Sequence, residues 1–276
     1  MSIRLIAFDL DGTLLRQDKT ISGRTEETLY RAAEKGILLV PATGRNYNGI
    51  PEQVGRLPFI RYVIGINGAQ IFDRESQKVL RRVEMGREAC ERMLDYMEQV
   101  PAVTTCYQEG RGWVEAKDWE LLEKHAPYPE QIAHMKRTFV PLENMRKSVF
   151  AYGSTLQKLQ MFFQNGVERD RYFAEMNEKF PDYAISYSLP NNIEINAIDA
   201  TKGAALKFLC EYLHLDCRES MAFGDGINDV SMIRQAGTGV AMENAEKEVL
   251  EIADRVTASN NEDGVAVMIE KVLQNC

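Results

Sequence analysis

The sequence contains no long hydrophobic run, although 45% of its 276 residues are apolar. Its apolar stretches are only as long as strands, well short of the roughly 18 residues that a membrane-spanning helix needs. Met1-Ser2-Ile3 leads straight into such a stretch, which leaves no room for a signal peptide. We therefore expect a globular protein with no membrane partner.

Cysteine and positive charge are also in short supply. The five cysteines are widely spaced and form no CxxC pair, which excludes a zinc knuckle or a disulfide framework and predicts reduced thiols in a cytoplasmic protein. The formal net charge is -8, the wrong sign for a protein that neutralises nucleic-acid phosphates over a broad face. A small anionic ligand fits this composition where positive charge is local. The cysteines are Cys90, Cys106, Cys210, Cys217 and Cys276.

An apolar segment near the start of the chain ends abruptly in two carboxylates. Residues 3–15 read IRLIAFDLDGTLL, which is typical of a strand buried on both faces of a parallel sheet. Asp9 and Asp11 follow at its carboxyl end, where open α/β sheets bind ligands, and side chains at i and i+2 point the same way. Carboxylates about 4 Å apart repel by roughly 4 kcal/mol at an effective dielectric near 20, which a shared proton or a divalent cation must offset. For an isolated pair of this kind, a solvated Asx turn is the ordinary alternative.

The order of the remaining segments predicts an α/β protein with a doubly wound parallel sheet and an inserted α+β domain. We predict a core from residues 1–83 and 191–276 and an insertion at 84–190, a typical domain size. For the core we predict strands at 37–40, 62–66, 193–196, 220–223, 239–242 and 255–257, a hairpin at 69–81, and helices at 22–35, 201–214, 228–235, 245–253 and from 262. For the insertion we predict helices at 84–99 and 168–180 and strands at 103–108, 112–116, 158–163 and 184–188.

Polar residues stand at several of the predicted strand ends and at one helix start. Thr43 offers a hydroxyl, and the amides of Gly44 and Arg45 form a natural anion nest, although Thr-Gly is more often a simple turn. Lys202 opens a helix, where the positive end of the helix dipole disfavours a lysine unless an anion is present. Carboxyl ends of parallel strands share one edge of a sheet, so these groups can converge on Asp9 and Asp11.

The segment GDGIND at 224–229 admits two interpretations. It matches the dinucleotide fingerprint G-x-G-x-x-G except at the last position, but Asp225 and Asp229 would repel a pyrophosphate. Carboxylates suit Mg²⁺, which prefers oxygen ligands in an octahedron. Together with Asp9 and Asp11, Asp225 completes a predicted metal site, with Asp229 as an outer ligand or support.

Phosphate-monoester hydrolysis would use all of these groups. Its uncatalysed rate is so low that accelerations reach about 10²¹-fold, so a nucleophile, an acid, a metal and a cation must share the task. A carboxylate nucleophile forms an aspartyl-phosphate and divides one difficult displacement into two easier ones. The metal and Lys202 would neutralise charge on the phosphoryl oxygens.

Four motifs resemble, in order and spacing, those of the haloacid dehalogenase superfamily: FDLDGTLL (8–15), ATGR (42–45), KG (202–203) and GDGIND (224–229). The insertion resembles, in size and place, the type IIB cap of the Cof-type sugar phosphatases. INGA (66–69), GVAMENA (239–245) and SNNEDGVA (259–266) are similar to further signatures of that subfamily, although Glu243 stands where small residues are common.

The resemblance implies a role for each matching residue. Asp9 would be the nucleophile and a magnesium ligand, and Asp11 the general acid and base, its backbone carbonyl also meeting the metal. An aspartate at position 11 favours phosphatase chemistry over that of P-type pumps or dehalogenases. Thr43, Gly44 and Lys202 would hold the phosphoryl group, Asp225 would bind magnesium, and Asn228 and Asp229 would support phosphate and metal.

The expected function is therefore that of a Mg²⁺-dependent phosphatase of small phosphorylated metabolites. The resemblance favours a sugar phosphate, then a flavin- or pyridoxal-type phosphate, with the cap closing over the substrate. A phosphotransferase or mutase of the same chemistry is one alternative. A non-catalytic phosphate-binding module is another, although binding alone does not need Asp11. We expect a monomer or weak homo-oligomer and no nucleic-acid partner.

Overall fold

The computed structural model describes residues 2–126 and 128–274, without the side chains of Glu130, Gln131 and His134, so Cys276 lies outside the described residues. The chain divides into two units, which we call the core unit (1–45, 50–82 and 201–276) and the inserted unit (46–49 and 83–200). Cys90, Cys106, Cys210 and Cys217 are free thiols. No helix in the described part of the chain combines the length and apolarity needed to cross a bilayer.

The strands, in chain order, are β1 (Leu5–Phe8), β2 (Leu38–Pro41), β3 (Tyr62–Gly65), β4 (Gln70–Asp73), β5 (Lys78–Arg82), β6 (Val103–Gln108), β7 (Arg111–Glu115), β8 (Phe139–Leu142), β9 (Lys158–Phe162), β10 (Tyr183–Ser186), β11 (Asn192–Ala197), β12 (Ser220–Gly224), β13 (Thr238–Ala241) and β14 (Arg255–Val256).

The helices are α1 (Gly23–Glu34), α2 (Glu52–Gly55), α3 (Arg87–Met97), α4 (Trp119–His125), α5 (Pro129–Thr138), α6 (Met145–Tyr152), α7 (Gly166–Lys179), α8 (Lys202–Tyr212), α9 (Val230–Gln235), α10 (Lys247–Ile252) and α11 (Gly264–Leu273). Short 3-10 turns lie between them, among them 66–68 and 227–229.

The core unit is built on a five-stranded parallel sheet with the order β14-β13-β12-β1-β2. Alternate residues of β1 and β12, including Leu5, Ala7 and Ala222, pack with residues of α8, α9 and α10 in one apolar cluster. The helices α1 and α11 pack against each other, and α1 also contacts β2. This Rossmann-like core and the inserted α+β unit confirm the predicted fold class. Because β1 pairs with β2 on one side and β12 on the other, their carboxyl ends meet at one edge.

Two predicted core strands pair differently from the prediction. The strand predicted at 62–66 is β3, which forms an antiparallel sheet with β4 and β5 and meets the end of β2 through a parallel bridge between Ala42 and Ile64. The turn at 66–68 reverses the chain, so that β4 becomes the antiparallel neighbour of β3. The strand predicted at 193–196 is β11, which lies between β9 and β10 in the antiparallel part of the inserted sheet.

The inserted unit holds a six-stranded sheet with the order β10-β11-β9-β6-β7-β8. The helices α3, α6 and α7 bury their apolar residues against it. The unit extends to Ala200, whereas the sequence placed the boundary near residue 190, because β11 pairs within this sheet. The sequence pattern predicts no helix between residues 117 and 157, whereas the structure has α4, α5 and α6 there.

Candidate active site

A fully buried lysine joins two carboxylates at the edge where the parallel strands end. Nζ of Lys202 lies 2.5 Å from Oδ1 of Asp9 and 2.6 Å from Oδ1 of Asp229. Asp9 directly follows β1, and its backbone N–H continues the parallel ladder by donating to the carbonyl of Phe223. Lys202 is the first residue of α8, whose N-cap Thr201 accepts a hydrogen bond from the Ala204 amide. The start of α8 and the end of β1 therefore hold the Lys202 ammonium next to the carboxylate of Asp9, the candidate nucleophile.

The loop after β12 supplies the remaining carboxylates. Oδ1 of Asp225 accepts a 2.7 Å hydrogen bond from the hydroxyl of Thr13. Asp229 is completely buried, and its Oδ2 accepts from the backbone N–H groups of Asp225 and Gly226, both at 3.0 Å. Asp9, Asp225 and Asp229 each offer an oxygen within 4.8 Å of the other two. Four residues singled out from the sequence therefore lie together, since Lys202 contacts two of these three aspartates.

Burial sets the charge balance of this cluster. Desolvation raises the pKa of Asp9 to about 7, although the Lys202 ammonium opposes the rise and the charge of Asp229 adds to it. Desolvation likewise raises the pKa of Asp225 well above its ordinary value, with the charges of Asp9 and Asp229 adding to the effect. Burial would lower the pKa of Lys202, but the charges of Asp229 and Asp9 outweigh burial and raise it. The lysine therefore stays protonated.

The donor set fits a divalent cation. When all are ionised, three carboxylates carry three negative charges against the single positive charge of Lys202, a formal excess of two. Hard oxygen donors are the ligands that Mg²⁺ prefers. Burial, together with the charges of the neighbouring aspartates, raises the pKa values of Asp9 and Asp225, so ionising both carboxyls costs free energy that a bound cation would offset.

Asp11 lies apart from this metal-type cluster and faces two cations. Its Oδ1 and Oδ2 accept hydrogen bonds from the Arg45 guanidinium at 2.9 and 2.7 Å, and Oδ1 also accepts from Nζ of Lys19 at 2.9 Å. Burial would raise the pKa of Asp11, but the charges and hydrogen bonds of Arg45 and Lys19 lower it far below its usual range. Its predicted contact with magnesium through the backbone carbonyl stays a prediction.

The predicted phosphate-holding residues lie on neighbouring segments of the core unit. Thr43 and Gly44 follow β2, whose last residues pair with the end of β1, and the Ala42 amide donates to the carbonyl of Phe8. Thr43 is buried, and its hydroxyl accepts a 3.2 Å hydrogen bond from the amide of Arg45. Nδ2 of Asn228 donates to Oδ1 of Asn67 at 3.2 Å. Their roles in binding phosphate stay predictions.

The two C-terminal signature segments hold the loop that follows Asp11. Nδ2 of Asn244 donates to the carbonyl of Gly12 at 2.9 Å, and Nδ2 of Asn260 donates to the carbonyl of Leu15 at 2.8 Å. Asp263 accepts from the Arg16 guanidinium at 2.9 Å. GVAMENA and SNNEDGVA therefore serve the active site indirectly, by fixing the loop that carries Thr13 and Lys19.

Sequence reasoning missed three contributors to this site. The guanidinium of Arg45 and the ammonium of Lys19 hold Asp11, and the side chain of Asn67 contacts Asn228. Arg45 stands within the ATGR motif and Asn67 within INGA, so both motifs pointed to the right segments. Nothing in the local sequence marks Lys19, which reaches Asp11 because the chain turns back at residues 16–20.

Gly12 is expected to be essential to the geometry of the site. Its φ is +89°, and a Cβ there would lie 2.2 Å from Oδ2 of Asp225. Gly12→Ala should therefore displace the Asp225 carboxylate and lower kcat/KM by about 100-fold, the scale of a 1 Å misplacement near the reacting atoms. The left-handed backbone should cost a further 1–2 kcal/mol of stability, roughly. Steady-state kinetics and thermal unfolding measure the two effects.

Gly36→Ala is the matched control for this prediction. Gly36 has a similar φ of +79°, but a Cβ there would meet nothing within 4 Å. It should lose about the same stability, on the order of 1–2 kcal/mol, and keep native activity. Equal activity losses in both variants would show that strain, and not the contact with Asp225, is responsible.

Comparison with known proteins identifies the family. A sequence profile of haloacid dehalogenase-like hydrolases matches residues 6–269. The chain is 30% identical over 271 residues to 5-amino-6-(5-phospho-D-ribitylamino)uracil phosphatase YcsE of Bacillus subtilis (strain 168), covering 98% of this chain and 95% of that protein.

Solved structures agree. A haloacid dehalogenase-like hydrolase from B. subtilis superposes with a TM-score of 0.85 at 28% identity, covering 97% of this chain and 99% of that one. The subclass IIB sugar phosphatase BT4131 superposes with a TM-score of 0.78 at 25% identity, covering 97% and 98%. The chain therefore belongs to the haloacid dehalogenase-like hydrolases, in their Cof-type branch, and is a phosphoric monoester hydrolase.

Proposed function

We propose that the protein is a Mg²⁺-dependent phosphatase that hydrolyses small phosphorylated metabolites, foremost sugar or sugar-alcohol phosphates, through an aspartyl-phosphate on Asp9. The observation that carries the proposal is the contact of Lys202 with Asp9 and Asp229, beside Asp225. Asp9 and Asp225 would bind the metal directly. Asp229, whose Oδ2 already accepts two backbone N–H groups, would contribute charge and hold the loop.

The residues divide the reaction into two displacements. A carboxylate oxygen of Asp9 attacks phosphorus, the bond to the leaving oxygen breaks, and Asp11 gives that oxygen a proton. Because Arg45 and Lys19 hold the pKa of Asp11 low, substrate binding would have to open these two ion pairs before Asp11 takes up that proton. Asp11, now a carboxylate, then takes a proton from the water that attacks the aspartyl-phosphate and releases inorganic phosphate. Lys202 balances charge on the phosphoryl oxygens in both steps. Bound Mg²⁺ supplies additional charge neutralisation at those oxygens.

Two lines support the substrate class. A structural neighbour is named a sugar phosphatase, and the relative YcsE is named for a substrate that carries its phosphate on a ribityl chain. Both names point to substrates in which a polyhydroxy compound carries the phosphate. The name of YcsE also favours the second candidate, a flavin-type precursor phosphate.

A metal-dependent screen tests the proposal. The native protein is assayed for phosphate release from sugar phosphates, sugar-alcohol phosphates, flavin and pyridoxal phosphates and p-nitrophenyl phosphate, with Mg²⁺ and with EDTA. We expect release of free phosphate with Mg²⁺ only, fastest with one polyhydroxy class. Transfer of phosphate to a second hydroxyl without release would identify a phosphotransferase or mutase, and binding without turnover would overturn the proposal.

Asp11→Asn tests the acid step. The protonated carboxyl matters most for a leaving group that is a poor acid, so the loss in kcat/KM should reach about 10²–10⁴-fold with an alkyl ester such as a sugar phosphate. With p-nitrophenyl phosphate, whose leaving group needs no proton, the loss should be much smaller. Equal losses with the two substrates would remove the acid role from Asp11. The comparison is made with kcat/KM at one pH and one Mg²⁺ concentration.

A further inference from the structure

The turn at residues 66–68 has an unusual backbone. Ile66, Asn67 and Gly68 all have positive φ, at 53°, 57° and 100°. A β-branched residue in this region is strained, and such strain persists only where the surroundings impose it. All three residues are buried. The turn therefore has a conformation that the protein maintains against its intrinsic preference.

The turn contacts two other motif segments through its backbone. The N–H groups of Ile66 and Asn67 donate to the carbonyls of Arg45 and Thr43, at 2.9 and 3.1 Å. On the other side, a Cβ on Gly68 would lie 2.2 Å from the carbonyl oxygen of Thr201, the N-cap of α8. The turn is thus packed between the loop of Thr43 and the start of the helix that carries Lys202.

A third contact uses the one polar side chain of the turn. Oδ1 of Asn67 accepts a 3.2 Å hydrogen bond from Nδ2 of Asn228, whose 3-10 turn precedes α9. An unrestrained Asn228 could rotate about its two side-chain torsions and present either end of its amide to a ligand. The hydrogen bond fixes the Nδ2 end toward Asn67 and uses one of its two N–H groups, so the second N–H group stays available to donate to a phosphoryl oxygen. A neutral acceptor does this without placing another negative charge beside a phosphate.

We propose that the turn 66–68 is a positioning element of the active site and that Asn67 acts by orienting the amide of Asn228 for the phosphoryl group. The proposal rests on the proposed role of Asn228 in phosphate binding. It gives the INGA segment a function: its left-handed backbone brings one side chain to Asn228 while its peptide groups hold the loop of Thr43.

Asn67→Gly is the test variant, because glycine keeps the left-handed backbone and removes only the amide. With p-nitrophenyl phosphate and Mg²⁺, we expect kcat/KM to fall about tenfold, the scale of one hydrogen bond to a charged group, mainly through a higher KM. The inhibition constant of inorganic phosphate should rise by the same factor, with the melting temperature nearly unchanged. In an Asn228→Ala background, Asn67→Gly should cause no further loss.

Gln77→Gly is the matched control. Gln77 is an exposed amide residue with a φ of 55° in the turn between β4 and β5, so the same change there should leave KM and phosphate inhibition native. Asn67→Ala removes the same hydrogen bond from the Asn67 side, and it decides the question if Asn67→Gly does not fold.

Several results would overturn the positioning role of Asn67. Native KM and phosphate inhibition in Asn67→Gly, or in Asn228→Ala, would overturn the proposal. So would a full additional loss from Asn67→Gly in the Asn228→Ala background, or a lower melting temperature with unchanged KM. If the native protein itself releases no phosphate, the proposed function fails, and that result is recognised before any variant is compared.

Discussion

Asp9→Asn is expected to lower kcat by at least about 10⁴-fold, the scale seen when a nucleophile is removed from a catalytic unit. The amide can still accept the hydrogen bond from Lys202, so the fold should remain. The measurement is phosphate release with Mg²⁺ on the best substrate of the screen. Turnover near the native rate would remove Asp9 as the nucleophile.

The same substitution should stabilise the metal-free protein at high pH. The pKa of Asp9 is raised from 3.8 to about 7 in the folded state, chiefly by burial. The folded state therefore binds more protons than the unfolded state between these pH values, and its stability falls as pH rises through about 7. Asparagine does not ionise, so the variant escapes this loss.

Thermal unfolding in EDTA at pH 4 and pH 8 measures the effect. At pH 8 the variant should exceed the native protein by up to about 4 kcal/mol, which is what three pKa units represent; the raised pKa of Asp9 already includes the opposing attraction of Lys202. At pH 4 the two proteins should differ little. Mg²⁺ at pH 8 should stabilise the native protein and much less the variant. A variant less stable than native at pH 8 in EDTA would contradict the assigned charge balance.

The strand ends were predictable because burial and chain direction leave clear marks in a sequence. Apolar residues 5–8 must lie between neighbouring strands and helices, so the carboxylate that follows them must reach the sheet edge. The same reasoning applies to Asp225, which follows β12. Lys202 was identifiable because a lysine at a helix start is unfavourable unless an anion is present.

The contacts that depend on chain reversal were not predictable. Lys19 reaches Asp11 through a turn of polar residues. Such a turn has no hydrophobic periodicity, so its direction cannot be predicted from the sequence. In β11, apolar Ile193 and Ile195 alternate with polar Glu194, which is typical of a sheet with one apolar face. The strands and helices that follow β11 are core-like, and for that reason β11 was assigned to the core. The structure places both isoleucines in the apolar cluster of the inserted unit, and Glu194 pairs with Lys158 at 2.6 Å.

Lys202→Met is expected to cost about 3–5 kcal/mol of folding free energy in the metal-free protein at pH 8, because it leaves the buried carboxylates of Asp9 and Asp229 without their cation. The cost should shrink at pH 5, where Asp9, with a pKa of about 7, is protonated. Activity at pH 8 with Mg²⁺ should fall by about 10²–10³-fold, since charge on the phosphoryl oxygens loses a fixed partner. Chemical denaturation at the two pH values and steady-state kinetics test these expectations.

Lys207→Met on the same helix is the control, because Lys207 is exposed and makes only a weak ion pair, with its Nζ 4.0 Å from Oε1 of Glu211. It removes the same charge and should change stability by less than about 0.5 kcal/mol at either pH. A pH-independent loss in Lys202→Met would point to lost packing of the lysine stem, since packing does not titrate. A loss that grows from pH 5 to pH 8 requires carboxylates that ionise over that range, which is the charge balance on which the proposed magnesium site depends.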